Sequence, residues 1–446
     1  MWAIYMNEII ITKFGGTSVA DFACMSRCAD FAKNISQPSV IVVSAIAKTT
    51  KLLLSLIQLN LSVQKRQEII GMVREKHYAI LNHLDDSSAL KLDLEKHLKN
   101  IEETSLLLGN EINPLLIDRL LSCGEQMSSL LFVEILKNKN IPAVLFDARK
   151  AIKTDSNFGN AKPDIAKIKE NVFKNLFPLC ENNVVVTQGF IGADDNNNTT
   201  TLGFESSDYT ATLLAEALGA KQVNIMTDVP GILTADPKIK LRTKTLNEIS
   251  FREMSELARF GAKVLHPAAL WPAIRNDIKV FVGSSKDPGC GTWIVNKTSG
   301  QPILRAITSR ENQSLLTVSD YDLFHGHEFL VKAFEVFANH KVNVDLATTS
   351  DINISVILEA DQITPKLLEE LGGVGEIAVE KKFTLITLVG NNLHTTSGIG
   401  KKIFKTIGKN NIRVIAHGAS SHNICFLVEK QSAEGLVKRL HKKLLR

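Results

Sequence analysis

No stretch of this sequence approaches the roughly 20 consecutive apolar residues that a membrane-spanning helix requires. The opening MWAIYMNEIIITKF has neither a basic start nor a cleavage site, which argues against a secretory signal. Only six cysteines occur, at Cys24, Cys28, Cys123, Cys180, Cys290 and Cys425, scattered rather than framed. Cys24 and Cys28 lie one helical turn apart, but no second Cys or His pair completes a metal set, so core packing is expected and no metal site. The net charge is +5 over 446 residues, and no basic block suggests nucleic acid. The Lys/Arg-rich stretch 438–446 reads as the solvated face of a helix. These absences lead us to expect a reduced, cytoplasmic protein without membrane or nucleic-acid partners.

The residues present fit two or three domains of ordinary globular composition, 44% apolar and 22% charged. Six apolar runs, at 8–14, 39–45, 142–148, 183–190, 223–229 and 279–285, read as strands. Their nearly unbroken apolar character predicts a mainly parallel sheet covered by helices on both faces. Residues 51–138 read mostly as helix, with breaks near 84–88 and 109–114. The Gly-, Pro- and Lys-rich stretch 286–302 reads as a boundary.

The last third repeats itself. VNVDLATTSDINISVILE (342–359) aligns with IRVIAHGASSHNICFLVE (412–429) without a gap, Val344 meeting Val414, Ser350 meeting Ser420 and Glu359 meeting Glu429 at an offset of 70. Phe334 and Phe404 fall at the same offset on amphipathic helices. Each copy reads strand–helix–strand–strand, most of a ferredoxin-like βαββαβ unit. Two such units carry open sheet edges, which must pair with each other or across a dimer.

Six polar motifs stand out. In IITKFGGTSVADF (10–22) a strand runs into Gly15-Gly16 and then a helix, with Lys13 placed to neutralise phosphate oxygens. The others are SAIAKTTKLL (44–53), TQGFIG (187–192), TTTLGFESSDYTATLLAEALGA (199–220), TDVPGILTADPK (227–238) and FGAKVLHPAAL (260–270). All but the last lie near the C-terminal end of an expected strand, where open α/β sheets bind ligands. Ser206, Ser207 and Asp208 are expected to cap the helix that starts there. Taken singly, each residue has an ordinary reading: Lys13 a snorkelling lysine, Asp208 an N-cap, Glu125 a buried ion-pair partner, Asp228 a turn former, and His266 a packing or capping residue. Only their conjunction is specific.

Together, KFGGTSVAD, CGEQMSSLL (123–131), VVTQGFIG, TTTLG…SDYTA, TDVPGI…TADP, FGAKVLHP and VFVGSSKDP resemble the aspartokinase family, from about residue 7 to residue 446 and in its single-function, lysine-inhibited form. The resemblance implies an α/β amino-acid kinase domain (1–298) and two ACT domains (299–380 and 381–446), with strand exchange between the ACT units a possibility. It implies transfer of a phosphoryl group from ATP, with Mg²⁺, to the side-chain carboxylate of L-aspartate, the entry step to lysine, threonine and methionine synthesis. Lys13 and Asp208 would be catalytic, Lys13 stabilising the moving γ-phosphoryl group and Asp208 orienting Lys13 and other donors. Lys13, Phe14, Gly15, Gly16, Ser44, Thr227, Asp228, Leu233, Lys238, Lys263 and Val264 would hold nucleotide, with Gly15 and Gly16 donating N–H bonds. Thr50, Glu125, Phe190, Phe204 and Ser207 would line the aspartate site. L-Lysine would bind as effector near Leu323, Gly326, Phe329, Leu330, Val344, Asp345, Ser350 and Asp351. The ACT pair would mediate a homodimer.

The resemblance departs chiefly at one turn. The family's LGRGGSD is LGFESSD here, with Phe204 in place of the arginine that grips the substrate's α-carboxylate. Leu233 replaces a common tyrosine, Lys51 a common asparagine and Glu328 a small residue. Three readings stay open on sequence alone: Lys48 or Lys51 supplies the missing charge, another small carboxylate is the acceptor, or the chain is an ACT-type sensor with weak catalysis.

Overall fold

The computed structural model describes residues 8–445 apart from positions 86, 110, 204–205, 240–241, 263–264, 266, 288, 299–301, 322–325 and 351. It divides into two compact units. The first comprises residues up to Ile232, with Thr245–Phe251 and Val264–Thr298. The second comprises Leu233–Lys244, Arg252–Lys263 and Ser299–Arg446.

The first unit holds strands β1 (Ile10–Phe14), β2 (Ser39–Val43), β3 (Ala143–Phe146), β4 (Val184–Gln188), β5 (Ile191–Ala193), β6 (Thr199–Thr201), β7 (Gln222–Thr227), β8 (Glu248–Ser250), β9 (Lys279–Ser284) and β10 (Gly291–Val295). Eight of them form one sheet in the order β3-β4-β2-β1-β7-β9-β10-β8, and β5 and β6 form a separate hairpin. Among the described residues, only the β9–β10 pairing in the large sheet is antiparallel. All six expected strands are present. Their continuous apolar runs are buried on both faces, as in β1 and β2, because helices cover each side. The stretch expected as a boundary instead contains β10. Gly291 lies flat against the Phe281 ring, where an added Cβ would come within 2.2 Å, and Trp293 packs 5.0 Å from Phe281. Glycine there permits close strand packing rather than marking a linker.

The helical region 51–138 resolves into Thr49–Ser55, Val63–Leu81, Ser88–Leu108 and Pro114–Asn138. The last of these presses on the end of β2: a Cβ on Gly124 would come within 2.9 Å of the Ala45 methyl. That contact sets the next residue, Glu125, against the sheet's C-terminal edge. Of the Cys24/Cys28 pair, Cys28 is buried in the core and Cys24 is partly exposed. Among the described residues no helix is long and apolar enough to cross a membrane.

The second unit is built on β11 (Leu304–Asp320), β12 (Leu346–Thr349), β13 (Asn353–Glu359), β14 (Gly375–Gly390), β15 (Val414–His417) and β16 (Asn423–Glu429), in the order β12-β13-β11-β14-β16-β15. β11 and β14 pair along nearly their whole lengths. The later half of β11 also pairs with β13, and the later half of β14 with β16. Each repeat is therefore a βαββαβ set, and the second takes its sixth strand from residues 304–310, which precede the first. Position 380 falls inside β14. Residues 233–244 and 252–263 belong to this unit. Ile307 N–H donates to Thr234 O at 2.9 Å, and Ala235 packs among Leu304, Ile307 and Leu440. Glu253 forms a fully buried ion pair with Arg305 at 3.2 Å. Glu256 accepts from Ser420 Oγ (2.6 Å) and Asn423 Nδ2 (2.7 Å).

Candidate active site

The site begins where four neighbouring strands end. Phe14 of β1 is in register with Val43 of β2 and Met226 of β7, and Val43 with Gln188 of β4. The residues just past these positions form the rim: Gly15, Ser44, Thr227 and Gly189. This is the C-terminal edge at which parallel sheets offer loops and helix starts to a ligand. Lys13 points from β1 to the helix Ser207–Leu218, where its Nζ lies 2.5 Å from Asp208 Oδ1. The two side chains are 12% and 10% exposed, so a nearly dry ion pair faces the rim.

Because Asp208 turns to Lys13, it does not cap its helix. Ser206 makes no side-chain cap bond either, and its buried hydroxyl has no hydrogen-bond partner among the described residues. The expected side-chain caps are thus not made, and the first turn's N–H groups are not taken by those two side chains. Gly15 corrects another expectation. Its N–H is donated to Met226 O at 3.1 Å, extending the β1–β7 ladder by one residue, so it is not available to a phosphate. Gly16 must remain glycine for a different reason: a Cβ would come within 2.8 Å of Ala45 O. Phe14 is a core residue whose ring packs against Phe31 and Phe132, so only its main chain borders the rim. Its carbonyl accepts the Ser44 N–H at 3.2 Å. Thr227 lies at the end of β7 and donates through Oγ1 to the exposed Asp228 (3.2 Å).

Glu125 is the most perturbed carboxyl group of the rim. It is 4% exposed, and its Oε2 has no hydrogen-bond partner among the described residues. Burial pushes its pKa up to about 8, partly offset by the backbone N–H groups of Ala45 and of Glu125 itself. Thr50 sits in the first turn of Thr49–Ser55, a helix entered through Lys48 in a left-handed conformation (φ 71°). Sequence reasoning passed over Thr49, whose buried hydroxyl also lacks a partner among the described residues and whose methyl faces Gly124.

Phe190 is buried at φ 71°, a backbone state costly for a bulky side chain. Two bonds hold it there: Phe190 N–H donates to Thr210 Oγ1 (3.0 Å), and Phe190 O accepts Leu202 N–H (2.9 Å). Ser207 lies directly over Gly189, where a Cβ would meet its own at 2.5 Å. Thr210 is a supporting residue that the motif reading missed. Its signal was the hydroxyl three residues after Ser207, on the same helix face.

Leu233 and Lys238 belong to the second unit, Lys238 exposed in a short turn and donating its N–H to Asp236 Oδ1 (2.8 Å). Phe204, Lys263, Val264, Leu323 and Asp351 lie outside the described residues, as do Glu205 and His266. Of the expected effector residues, Gly326 begins the helix Gly326–Asn339, Phe329 is buried with Leu330 beside it, and Val344 packs on the same core. Ser350 N–H donates to Asn353 O at 2.8 Å. Asp345, 9% exposed, is ion-paired with Arg310 and lies 3.7 Å from Arg259 Nε.

A model of the amino acid kinase family matches residues 8–284, and a model of the ACT domain matches residues 386–444. Lysine-sensitive aspartokinase 3 of Escherichia coli (strain K12) is 44% identical, across 98% of this chain and 100% of the relative. This chain belongs to the aspartokinase family. An aspartokinase of Chlamydia pneumoniae is 32% identical across 97% of each chain. Among solved structures, E. coli aspartokinase III in complex with aspartate and ADP (R-state) superposes with a TM-score of 0.88 over 98% of this chain and 100% of the other, at 44% identity. The same enzyme in complex with lysine and aspartate (T-state) gives 0.84 over 99% and 100%.

Proposed function

We propose that this aspartokinase transfers the γ-phosphoryl group of ATP to the side-chain carboxylate of L-aspartate. The observation that carries the reading is Glu125, a buried carboxyl group with an unpartnered oxygen, set against the same sheet edge as the Lys13–Asp208 pair. A substrate ammonium satisfies that oxygen. A carboxylate acceptor is already nucleophilic, so no general base is required. One aspartate side-chain oxygen bonds to the γ-phosphorus as the bond from phosphorus to the β,γ-bridging oxygen breaks, and ADP leaves with that electron pair. Lys13 neutralises charge on the moving group, and Asp208 keeps Lys13 oriented. Ser207 and Phe190, fixed over Gly189 and by Thr210, shape the acceptor side. Ser44, Gly16 and Thr227 border the nucleotide side. For Leu233, Lys238, Lys263 and Val264 the nucleotide role rests on the family resemblance.

Mg²⁺ fits this reading as a companion of the nucleotide. The described residues contain no group of three or more His, Cys, Asp or Glu able to hold a metal ion, and Asp208 is committed to Lys13. Phosphate oxygens and water would supply the coordination. We further propose a cytoplasmic homodimer joined through the ACT units.

The test is to mix the purified chain with MgATP, L-aspartate and hydroxylamine and to measure aspartyl hydroxamate against a blank without aspartate, with Phe204→Arg alongside. Hydroxamate from the unaltered chain is the expected result. Product only from Phe204→Arg would show that the LGFESSD turn has switched aspartate chemistry off, and none from either would end the reading.

Inhibition by L-lysine is part of the proposal. Asp345 is held by two arginines before any effector arrives, so an effector ammonium must compete with Arg310 and Arg259 for it. Asp345→Ala is expected to raise the lysine concentration for half-inhibition at least about tenfold, the loss of one charged contact. Unchanged inhibition curves would remove Asp345 from the effector site.

A further inference from the structure

Seven residues before Glu125, on the same helix, lies Asp118. Two helical turns separate them, so both face the same side of Pro114–Asn138. Asp118 is fully buried, and the bonds made to its carboxylate come from uncharged donors. Thr201 N–H donates to Oδ2 (2.7 Å), Thr201 Oγ1 to Oδ1 (2.8 Å), and Gly159 N–H to Oδ2 (2.9 Å). Burying a carboxylate without a cation is costly, and a fully hydrogen-bonded amide or hydroxyl would fill the space at less cost. What the carboxylate provides is acceptors for three donors at one point.

The donors matter because of their position in the chain. Thr201 ends β6, and the next residues are Leu202 and Gly203. Leu202 N–H is tied to the strained Phe190, and Ala161 N–H is tied to Thr201 O (2.9 Å). Gly203 has φ 96°, and a Cβ on it would come within 3.0 Å of Asn160 Oδ1. Asp118 therefore holds the strand end that carries Leu202, and Leu202 in turn holds the backbone of Phe190.

We propose that Asp118 is a positioning residue of the acceptor site, tying the end of β6, and through Leu202 the backbone of Phe190, to the helix that carries Glu125. It touches no reacting atom. The proposal rests on the reading of Glu125 and Phe190 as part of the aspartate site.

The test compares Asp118→Asn and Thr201→Val with the unaltered chain, using Glu125→Gln as the reference. Asp118→Asn replaces one acceptor oxygen by an NH₂ that faces donors; Thr201→Val deletes only one of the three bonds and covers the case in which the first variant does not fold. Initial rates are measured against L-aspartate and against ATP separately. The expected result is a rise in the aspartate KM of about tenfold for Asp118→Asn and about threefold for Thr201→Val, with the ATP KM within about twofold, since small displacements of a binding group cost this much or more. In a double-mutant cycle, Asp118→Asn and Glu125→Gln should be non-additive on the aspartate KM. Equal changes in both KM values, or additive effects, would overturn the proposal and leave Asp118 a purely structural residue. Failure of the underlying reading looks different: Glu125→Gln alone would then leave the aspartate KM unchanged.

Discussion

Lys13→Met should lower the rate of aspartate-dependent ADP formation by about a thousandfold while leaving nucleotide affinity within about tenfold. The reason is placement. Lys13 is the penultimate residue of a central strand and is nearly buried against Asp208. A charge in so dry a position interacts strongly with phosphoryl oxygens in flight, and weakly with the adenosine portion of the nucleotide. Removing the ammonium leaves Asp208 buried and unpaired, a loss of about 3 kcal/mol in stability. The double variant Lys13→Met/Asp208→Asn separates the effects: it should regain most of that stability and none of the activity. Single-turnover rates, calorimetric ADP binding and thermal unfolding measure the three quantities. A Lys13→Met chain retaining a tenth or more of the normal rate would remove Lys13 from the chemistry.

Glu125→Gln is the second large effect, expected to raise the aspartate KM about a hundredfold through loss of the buried partner for the ammonium. It also carries a pH signature. In the folded chain without ligand, Glu125 keeps its proton up to about pH 8, whereas its ordinary value is 4.5. Between those values the folded state binds the additional proton, so stability falls as pH rises, by up to about 1.4 kcal/mol per pH unit from this group. Glu125→Gln should flatten that part of the stability profile and be the more stable chain at pH 8. Aspartate binding near pH 7 must strip the proton, so calorimetry in buffers of different ionisation enthalpy should show release of close to one proton per site, absent in the variant. A pH-independent difference between the two chains would place the pKa of Glu125 outside this window.

The sequence carried the sheet well because a strand buried on both faces has an unmistakable apolar run. It carried β10 poorly because Gly291 serves the Phe281 ring, and a glycine that admits an aromatic neighbour looks like one that breaks a chain. The functional motifs were legible as strings, yet their local roles were not. Gly15 seemed a phosphate donor, and its N–H instead continues a ladder whose partner, Met226, is about two hundred residues away in sequence. Asp208 taken alone seemed an N-cap; its pairing with Lys13 was implied only by the family resemblance. Residues 233–244 and 252–263 carry kinase motifs but pack with the ACT sheet through Ala235, Phe260, Glu253 and Glu256. No local periodicity announces that, because the partners (Arg305, Ser420, Asn423 and the apolar residues of β11) lie far along the chain. Glu125 was visible as an acid in an apolar helix, whereas Asp118 was not singled out; what Asp118 accepts from is a tertiary fact.

The shared strands β11 and β14 have a practical corollary for anyone recombining such chains. A cut after residue 380 does not release a module. It strips residues 304–310 of the strand beside them, and the liberated fragment lacks a sixth strand, so both pieces expose raw hydrogen-bonding edges prone to aggregation. Chimaeras that aim to transplant effector response should exchange 304–444 without an internal junction and carry 233–244 and 252–263 with it, since Glu253 and Glu256 pair with Arg305, Ser420 and Asn423.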